Sequence, residues 1–180
     1  MTKIWVISDT HFGHSNILNF KDDSGSCIRG SLFENIEQHD EALIKNWNNL
    51  VKPQDHVYHL GDVVLARRNL EIVKRLNGHK RLVRGNHDIF KTAEYQAVGF
   101  EEIYGVRVFP ASPQRVGAIL SHIPIHSDSL PRWGRNIHGH LHQNSVRLPD
   151  GSLDPRYICV SVEHTDYCPV PLDDLCLIKG

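Results

Sequence analysis

Apolar runs and amphipathic segments alternate along the first half of the chain. The runs have the length of buried strands, and the amphipathic segments repeat their apolar side chains at helical spacing. Pro53 ends one helical segment, and Gly78 ends the other. The pattern predicts strands at residues 3–8, 56–60 and 80–84, helices at residues 32–50 and 67–77, and a polar loop at residues 15–31. Strands that alternate with helices favour parallel pairing through crossover helices.

The second half of the chain has a different pattern, in which strand-like runs are separated by turns that contain Pro or Gly. These runs lie at residues 103–109, 116–121, 135–138, 144–148 and 157–162, and we expect an edge strand at residues 175–179. Residues 148–151, Leu-Pro-Asp-Gly, are typical of a hairpin turn. We therefore predict an α/β fold in which two packed mixed β-sheets are flanked by helices, an αββα sandwich.

Length and composition set broad limits on the protein. The 180 residues fit a single domain, residues 1–180, and 40% hydrophobic side chains can form an ordinary core. The net charge of -1 gives no overall basic surface for nucleic acid, and no apolar run approaches the ~20 residues of a membrane helix. The four cysteines form no C-x-x-C pair, and the N-terminus does not resemble a signal peptide. We expect reduced thiols, a cytoplasmic location and no membrane partner.

Potential metal ligands follow five of the predicted strands. The chain has 13 histidines, and several are clustered with Gly, Asp or Asn. The clusters are Asp9-Thr10-His11, Gly61-Asp62, Gly85-Asn86-His87-Asp88, Ser121-His122 and Gly139-His140-Leu141-His142. Because ligands of α/β sheets bind outside the carboxyl ends of the strands, we expect these side chains at one rim of the fold.

A mixture of carboxylate oxygen and imidazole nitrogen suits transition metals better than Mg²⁺ or Ca²⁺. An aspartate between two ions can bridge them with its two oxygens. Taken singly, Asp9 and Asp62 could be helix N-caps, and residues 86–88 could be a polar turn. The histidines of residues 138–142 also invite comparison with metallo-β-lactamase-type enzymes, but Gln143 follows them and the aspartate of that motif is absent.

The order of the five clusters resembles the calcineurin-like metallophosphoesterase superfamily, and the resemblance runs from Asp9 to His142. It implies a first metal ion held by Asp9, His11 and His142, a second held by Asn86, His122 and His140, and Asp62 as the bridge between them. His87 matches the acid that protonates the leaving group in this family. Asp88 would orient the His87 ring.

The same resemblance implies hydrolysis of phosphate esters by a metal-bridging hydroxide. Two divalent transition metal ions are expected, with Mn²⁺ first and Fe, Zn, Ni or Co as alternatives. The chain has no room for a large cap domain, so a phosphodiesterase that acts on a small phosphoester, a nucleotide or a short oligonucleotide is favoured. A phosphomonoesterase or nucleotidase and a non-catalytic binding scaffold on the same fold are the alternatives. The near-neutral charge argues against an autonomous nuclease.

Overall fold

The structure is a computed structural model, and it describes residues 2–177. Within this range the strands are β1 (Ile4–Ile7), β2 (His56–His59), β3 (His79–Val83), β4 (Phe100–Tyr104), β5 (Arg107–Phe109), β6 (Ala118–Leu120), β7 (Arg135–His138), β8 (Tyr157–Cys159) and β9 (Val170–Pro171). The α-helices are α1 (Ile36–Leu50), α2 (Thr92–Ala97), α3 (Leu130–Trp133) and α4 (Leu172–Cys176). Shorter 3₁₀ helices lie at Ser15–Asn19, Arg67–Arg75, Ser127–Ser129 and Val162–His164. None of the helices described between residues 2 and 177 is long and apolar enough to cross a bilayer.

The strands form two sheets that are mostly parallel. The first sheet has the order β4-β3-β2-β1-β9, in which β1 to β4 are parallel and β9 is antiparallel to β1. The second has the order β5-β6-β7-β8, in which only β5 is antiparallel to its neighbour. Two mixed sheets with flanking helices confirm the predicted fold class.

Alternate side chains of β1 point into two different cores. Trp5 and Ile7 pack on the α1 side of the first sheet, in a cluster that includes Leu43 and Trp47 of that helix. Val6, between them in the sequence, belongs to the cluster that joins the two sheets. This alternation follows from the two-residue period of a strand, and it explains why β1 is apolar throughout.

Helix α1 begins later than the helical spacing alone predicts. The side chain of Asn35 accepts a hydrogen bond of 2.8 Å from the backbone N–H of Gln38 and caps the helix. Residues 32–34 therefore lie outside the helix, although the expected end before Pro53 is correct. The amphipathic segment at residues 67–77 is also helical, but as the 3₁₀ helix Arg67–Arg75.

The predicted strand at residues 103–109 is wrong as a single element. Its first part belongs to β4 in the first sheet, and its second part is β5 in the second sheet. The break falls at Gly105 and at Val106, which is exposed. The chain thus changes sheets within a run that looks continuous in the sequence.

The predicted strand at residues 144–148 is also wrong. Arg147 makes a single bridge with Leu153, and the adjoining turn forms as expected. In that turn the backbone N–H of Gly151 donates to the carbonyl of Leu148 over 2.9 Å, and Gly151 has a φ of 86°. The turn residues are correct, but too few pairs follow them to make a hairpin.

The expected edge strand at residues 175–179 is replaced at its start by α4. Leu175 and Cys176 are helical, and Leu177 makes one bridge with Arg115. Asp173 and Asp174 lie in the first turn of α4, where negative charge favours a helix. Residues 178 and 179 lie outside the described residues.

Candidate metal centre

The carboxyl ends of the parallel strands in the two sheets meet at one rim of the fold. Ser8, after β1, pairs with Ser161, after β8, and the backbone N–H of Ser8 donates to the carbonyl of Val160 over 3.0 Å. The loop after β1 is also bonded to the loop after β2, since the N–H of Asp9 donates to the carbonyl of Gly61 over 3.0 Å. The structure therefore brings the five predicted clusters to this rim.

A first group of ligand atoms comes from Asp9, His11 and His142, which each place one such atom within 4.8 Å of the others. Oδ2 of Asp9 accepts hydrogen bonds from the N–H of His140 at 2.9 Å and the hydroxyl of Ser161 at 2.7 Å. Oδ1 of Asp9 and both ring nitrogens of His11 are buried and have no hydrogen-bond partner among the described residues. Unpartnered lone pairs are costly in a protein interior, and a divalent cation would satisfy them.

A second group comes from Asp62, His122 and His140, whose ligand atoms also lie within 4.8 Å of one another. Oδ1 of Asn86 lies 2.9 Å from Nε2 of His122 and 3.0 Å from Nδ1 of His140. Those two ring nitrogens are 3.2 Å apart. Three predicted ligands of the second ion thus point at one another.

Asp62 faces both groups. Its Oδ2 lies 3.7 Å from Nε2 of His11 in the first group and 3.4 Å from Nε2 of His122 in the second. Burial alone would raise the pKa of Asp62, but His122 and the backbone N–H of His87 lower it to about 2. Burial also lowers the pKa of His11 well below its usual value. The pKa shifts of Asp62 and His11 both favour the deprotonated form, which is the form that binds a metal ion.

Backbone strain is concentrated at the same residues. Among the described residues, seven that are not glycine have a positive φ, and five of these are Asp9, His11, Asp62, His140 and His142. Such conformations cost of order 1–3 kcal/mol each and cluster at functional sites. These positive-φ turns lie at residues whose ligand atoms come together at the strand ends.

His87 lies at the mouth of the site. Its side chain is 47% exposed, and its Nε2 is 4.0 Å from Oδ2 of Asp62. Its backbone N–H donates to Oδ1 of Asp62 over 2.9 Å, which fixes the loop rather than the ring. The ring is therefore free to meet a molecule that enters from solvent.

Asp88 does not have the partner expected from the sequence. Its carboxylate accepts hydrogen bonds of 2.8 Å from the backbone N–H groups of Asp62 and Gly85, and one of 3.2 Å from that of Val63. The expectation that it orients the His87 ring is therefore corrected. Asp88 instead ties the loop after β3 to the loop after β2.

Two charged residues behind the first group were missed by the sequence analysis. Oε1 of Glu163 lies 2.9 Å from Nδ1 of His142, 2.9 Å from Nε of Arg29 and 2.8 Å from Nη2 of Arg29. Arg29 is 1% exposed and also donates to the carbonyl of Asp9 over 2.6 Å. Glu163 closely follows the strand predicted at residues 157–162, so the strand-end rule could have found it, whereas Arg29 lies in a polar loop with no signal.

The chain is similar to known proteins over most of its length. The family model of the calcineurin-like phosphoesterase superfamily domain matches residues 2–154. The uncharacterized protein MJ1445 of Methanocaldococcus jannaschii is 38% identical in an alignment that covers 96% of this chain and 89% of the relative. The gene 66 protein of Mycobacterium phage L5 is 31% identical over 81% of this chain and 80% of its own length.

A solved structure shares the fold over almost the whole length. The protein of unknown function AQ665 from Aquifex aeolicus has a TM-score of 0.71 and 28% sequence identity, and the match covers 97% of this chain and 98% of that one. The family match includes all five clusters at the rim, from Asp9 to His142. The chain belongs to the calcineurin-like phosphoesterase superfamily.

Proposed function

We propose that the protein hydrolyses phosphodiesters with two divalent metal ions. Asp9, His11 and His142 would hold one ion, and Asn86, His122 and His140 would hold the other. The observation that carries the proposal is the position of Asp62, whose Oδ2 lies within 4 Å of a ring nitrogen in each group. A carboxylate placed between two ligand groups is suited to binding both ions.

The donor set indicates which metals fit. Imidazole nitrogen mixed with carboxylate and amide oxygen favours Mn²⁺, with Fe, Zn, Ni and Co as alternatives. When bound, two such ions polarise the phosphoryl oxygens and lower the pKa of a water molecule so that it can attack phosphorus. Asp9 and Asp62 offset only part of the charge of two divalent ions, so the loaded site would attract an anionic phosphate.

His87 is the residue that we propose as the proton donor. Its ring is half exposed beside Asp62, so the leaving oxygen of a bound ester could come within hydrogen-bonding distance. Protonation of that oxygen would allow the P–O bond to break without release of a free alkoxide.

Two cavities next to the ligand groups favour a diester over a monoester. One, of about 540 Å³, borders His140 and His142, and the other, of about 470 Å³, borders Asn86 and His122. The residues that line the first cavity are all different from those that line the second. A phosphate held between them would have room for an organic group on each side, whereas a monoester would fill only one.

The test compares bis(p-nitrophenyl) phosphate with p-nitrophenyl phosphate after removal of metal with EDTA and addition of each candidate metal. We expect hydrolysis that depends on metal, is highest with Mn²⁺ and prefers the diester. A preference for the monoester would indicate a phosphomonoesterase or nucleotidase. Folded, metal-loaded protein that hydrolyses neither ester would indicate a binding scaffold. The cytoplasmic location stays a prediction from the cysteine spacing and the N-terminal sequence.

A further inference from the structure

The larger cavity beside the candidate metal centre has a wall that the hydrolytic chemistry does not require. This wall is formed by the 3₁₀ helix Ser15–Asn19 and by residues 20–28, which fold back on themselves. Lys21 bridges to Cys27, and the N–H of Ile28 donates to the carbonyl of Phe20 over 2.8 Å. The opposite wall is the segment that carries His142. The cavity thus has hydrogen-bonded backbone on both sides, since the N–H of Asn144 in the opposite wall donates to the carbonyl of Leu141 over 2.8 Å.

The cavity has apolar faces, supplied by Ile17, Phe20, Ile28 and Leu141. Phe20 is 43% exposed, so part of its phenyl group is open to the cavity. Its ring meets the ring of His142 edge to face, at 6.4 Å between centroids and an angle of 82°. An exposed aromatic face next to a ligand group can bind a flat ring.

The rim of the cavity is polar and supplies both donors and acceptors. Asn19, Gln143 and Asn144, which carry side-chain amides, line it together with Lys21, and the amide nitrogen of Asn19 donates to Oδ1 of Asn16 over 3.1 Å. Arg29 and Glu163 at the base neutralise each other through their ion pair of 2.8 Å. The lining therefore combines an apolar surface that can contact a flat ring with amides that can bind the polar edge of that ring. The ammonium of Lys21 adds a positive charge that favours an anionic ligand.

We propose that this cavity binds a nucleoside arm of the phosphodiester, with the base against Phe20 and its polar edge at the amides. The inference rests on the proposed function, which it extends from a reaction to a substrate class. A cavity of about 540 Å³ is within the range of ~300–1,000 Å³ that holds ligands of this size. A plain alkyl chain would make no hydrogen bond with the amides or with the Lys21 ammonium, which would stay in contact with water, and a methyl group would leave the cavity unfilled.

The experiment uses three esters with one leaving group: the p-nitrophenyl phosphate esters of thymidine (at its 5′ oxygen), methanol and hexanol. We expect the Mn²⁺-loaded protein to favour the thymidine ester over the methyl ester by about tenfold in kcat/KM, which is the scale of one base stacked on an aromatic ring. Phe20→Ala should reduce this ratio about tenfold, and Phe20→Trp should retain it. Leu32→Ala removes a 59% exposed side chain that lines neither cavity, and should keep the wild-type ratio.

Equal efficiency with all three esters, or a preference for the hexyl ester, would overturn the inference while the proposed function stands. Absence of hydrolysis with every metal would contradict the proposed function instead. In that case, a calorimetric titration with thymidine 5′-monophosphate still tests whether the cavity binds a nucleoside. Binding that weakens in Phe20→Ala but not in Leu32→Ala supports the nucleoside site, and no binding to the wild type overturns it.

Discussion

Glu163 holds one candidate ligand in place through a contact that is independent of any substrate. It accepts from His142 and from the guanidinium of Arg29, both of which lie within 3 Å of its Oε1. A carboxylate behind a metal-binding imidazole fixes the ring and its tautomer, and its loss costs about 10–100-fold in metal affinity. Glu163→Gln would also leave Arg29 charged and buried without a counter-ion, which costs about 3–5 kcal/mol.

We therefore expect Glu163→Gln to weaken binding of one Mn²⁺ ion and to lower the free energy of unfolding. Calorimetric metal titration and denaturant unfolding measure the two effects. The matched control is Glu41→Gln, which breaks an exposed ion pair with Arg75 and should change stability by less than about 1 kcal/mol. Equal behaviour of the two variants would show that the buried Glu163 carboxylate contributes no more to metal binding and stability than an exposed ion pair does.

The side chain of His87, at the mouth of the site, is expected to act in turnover and not in metal binding. His87 belongs to neither ligand group, although its ring packs edge to face against His11 at 5.8 Å between centroids, so His87→Ala should still bind two metal ions. Turnover of a diester whose leaving group is an alkoxide, which needs protonation to depart, should fall ~100-fold or more, the usual contribution of a general acid. Steady-state rates and metal analysis on the same sample test this, with the exposed His126→Ala as control. Wild-type turnover in His87→Ala would remove the residue from the mechanism.

At the scale of elements, the loops after β2 and β3 lie so close together that Gly85, after β3, has no room for a side chain. A Cβ on Gly85 would lie 2.2 Å from Oδ1 of Asp62 and 2.9 Å from Cε1 of His122. Gly85→Ala should therefore push these two candidate ligands apart, with loss of metal at the second site and destabilisation of about 1–3 kcal/mol. Gly105→Ala is the matched control, since a Cβ at that position would have open space within 4 Å among the described residues.

Metal content and chemical unfolding of the two glycine variants would separate these effects. If Gly85→Ala binds metal as well as Gly105→Ala does, the close approach of the two loops has no role in metal binding.

The sequence predicted the elements best where a local period decides them. The parallel strands of the first half were found because apolar runs alternate with amphipathic helices. The segment at residues 67–77 forms the 3₁₀ helix Arg67–Arg75, and Leu70 and Val73 within it and Leu76 at its C-cap lie three residues apart and are all buried. That spacing fits three residues per turn as well as it fits an α-helix, so the period alone could not distinguish them.

The second half was harder because its strands are short and depend on tertiary pairing. Three residues each form β5, β6 and β8, which gives too few positions to reveal a period. Helix α2 and strand β9 are also too short to show a period, and they were not predicted. At the rim, the strand-end positions of the ligands were predictable, whereas the hydrogen bonds of Asp88 and the contact of Arg29 with Glu163 depend on three-dimensional packing between distant segments.

At the scale of the whole molecule, Asp55 joins the start of β1 to the chain before β2. It is 2% exposed and accepts hydrogen bonds from the N–H of Lys3 at 2.9 Å, the N–H of Lys52 at 3.0 Å and the indole of Trp5 at 3.1 Å. Burial acts to raise the pKa of Asp55, but these hydrogen bonds outweigh it, and the pKa is lowered. A carboxylate of this kind stabilises the fold above its unfolded pKa of about 3.9, and the contribution is lost as the pH falls through its folded value.

Asp55→Asn should therefore be less stable than the wild type at pH 7, and the difference should shrink as the pH falls below about 4. Urea unfolding of both proteins from pH 7 to pH 3 measures it. A difference that is constant across this range, or that grows in acid, would contradict the assignment of Asp55 as an ionised, buried link.

The central claim is that seven side chains from five strand ends hold two cations with Asp62 between them. Anomalous X-ray diffraction from a crystal of the Mn²⁺-loaded protein tests this most directly. We predict two ions about 3.5–4 Å apart, one at Asp9, His11 and His142, the other at Asn86, His122 and His140, and both in contact with Asp62. A single ion, or ions bound elsewhere on the molecule, would contradict the account.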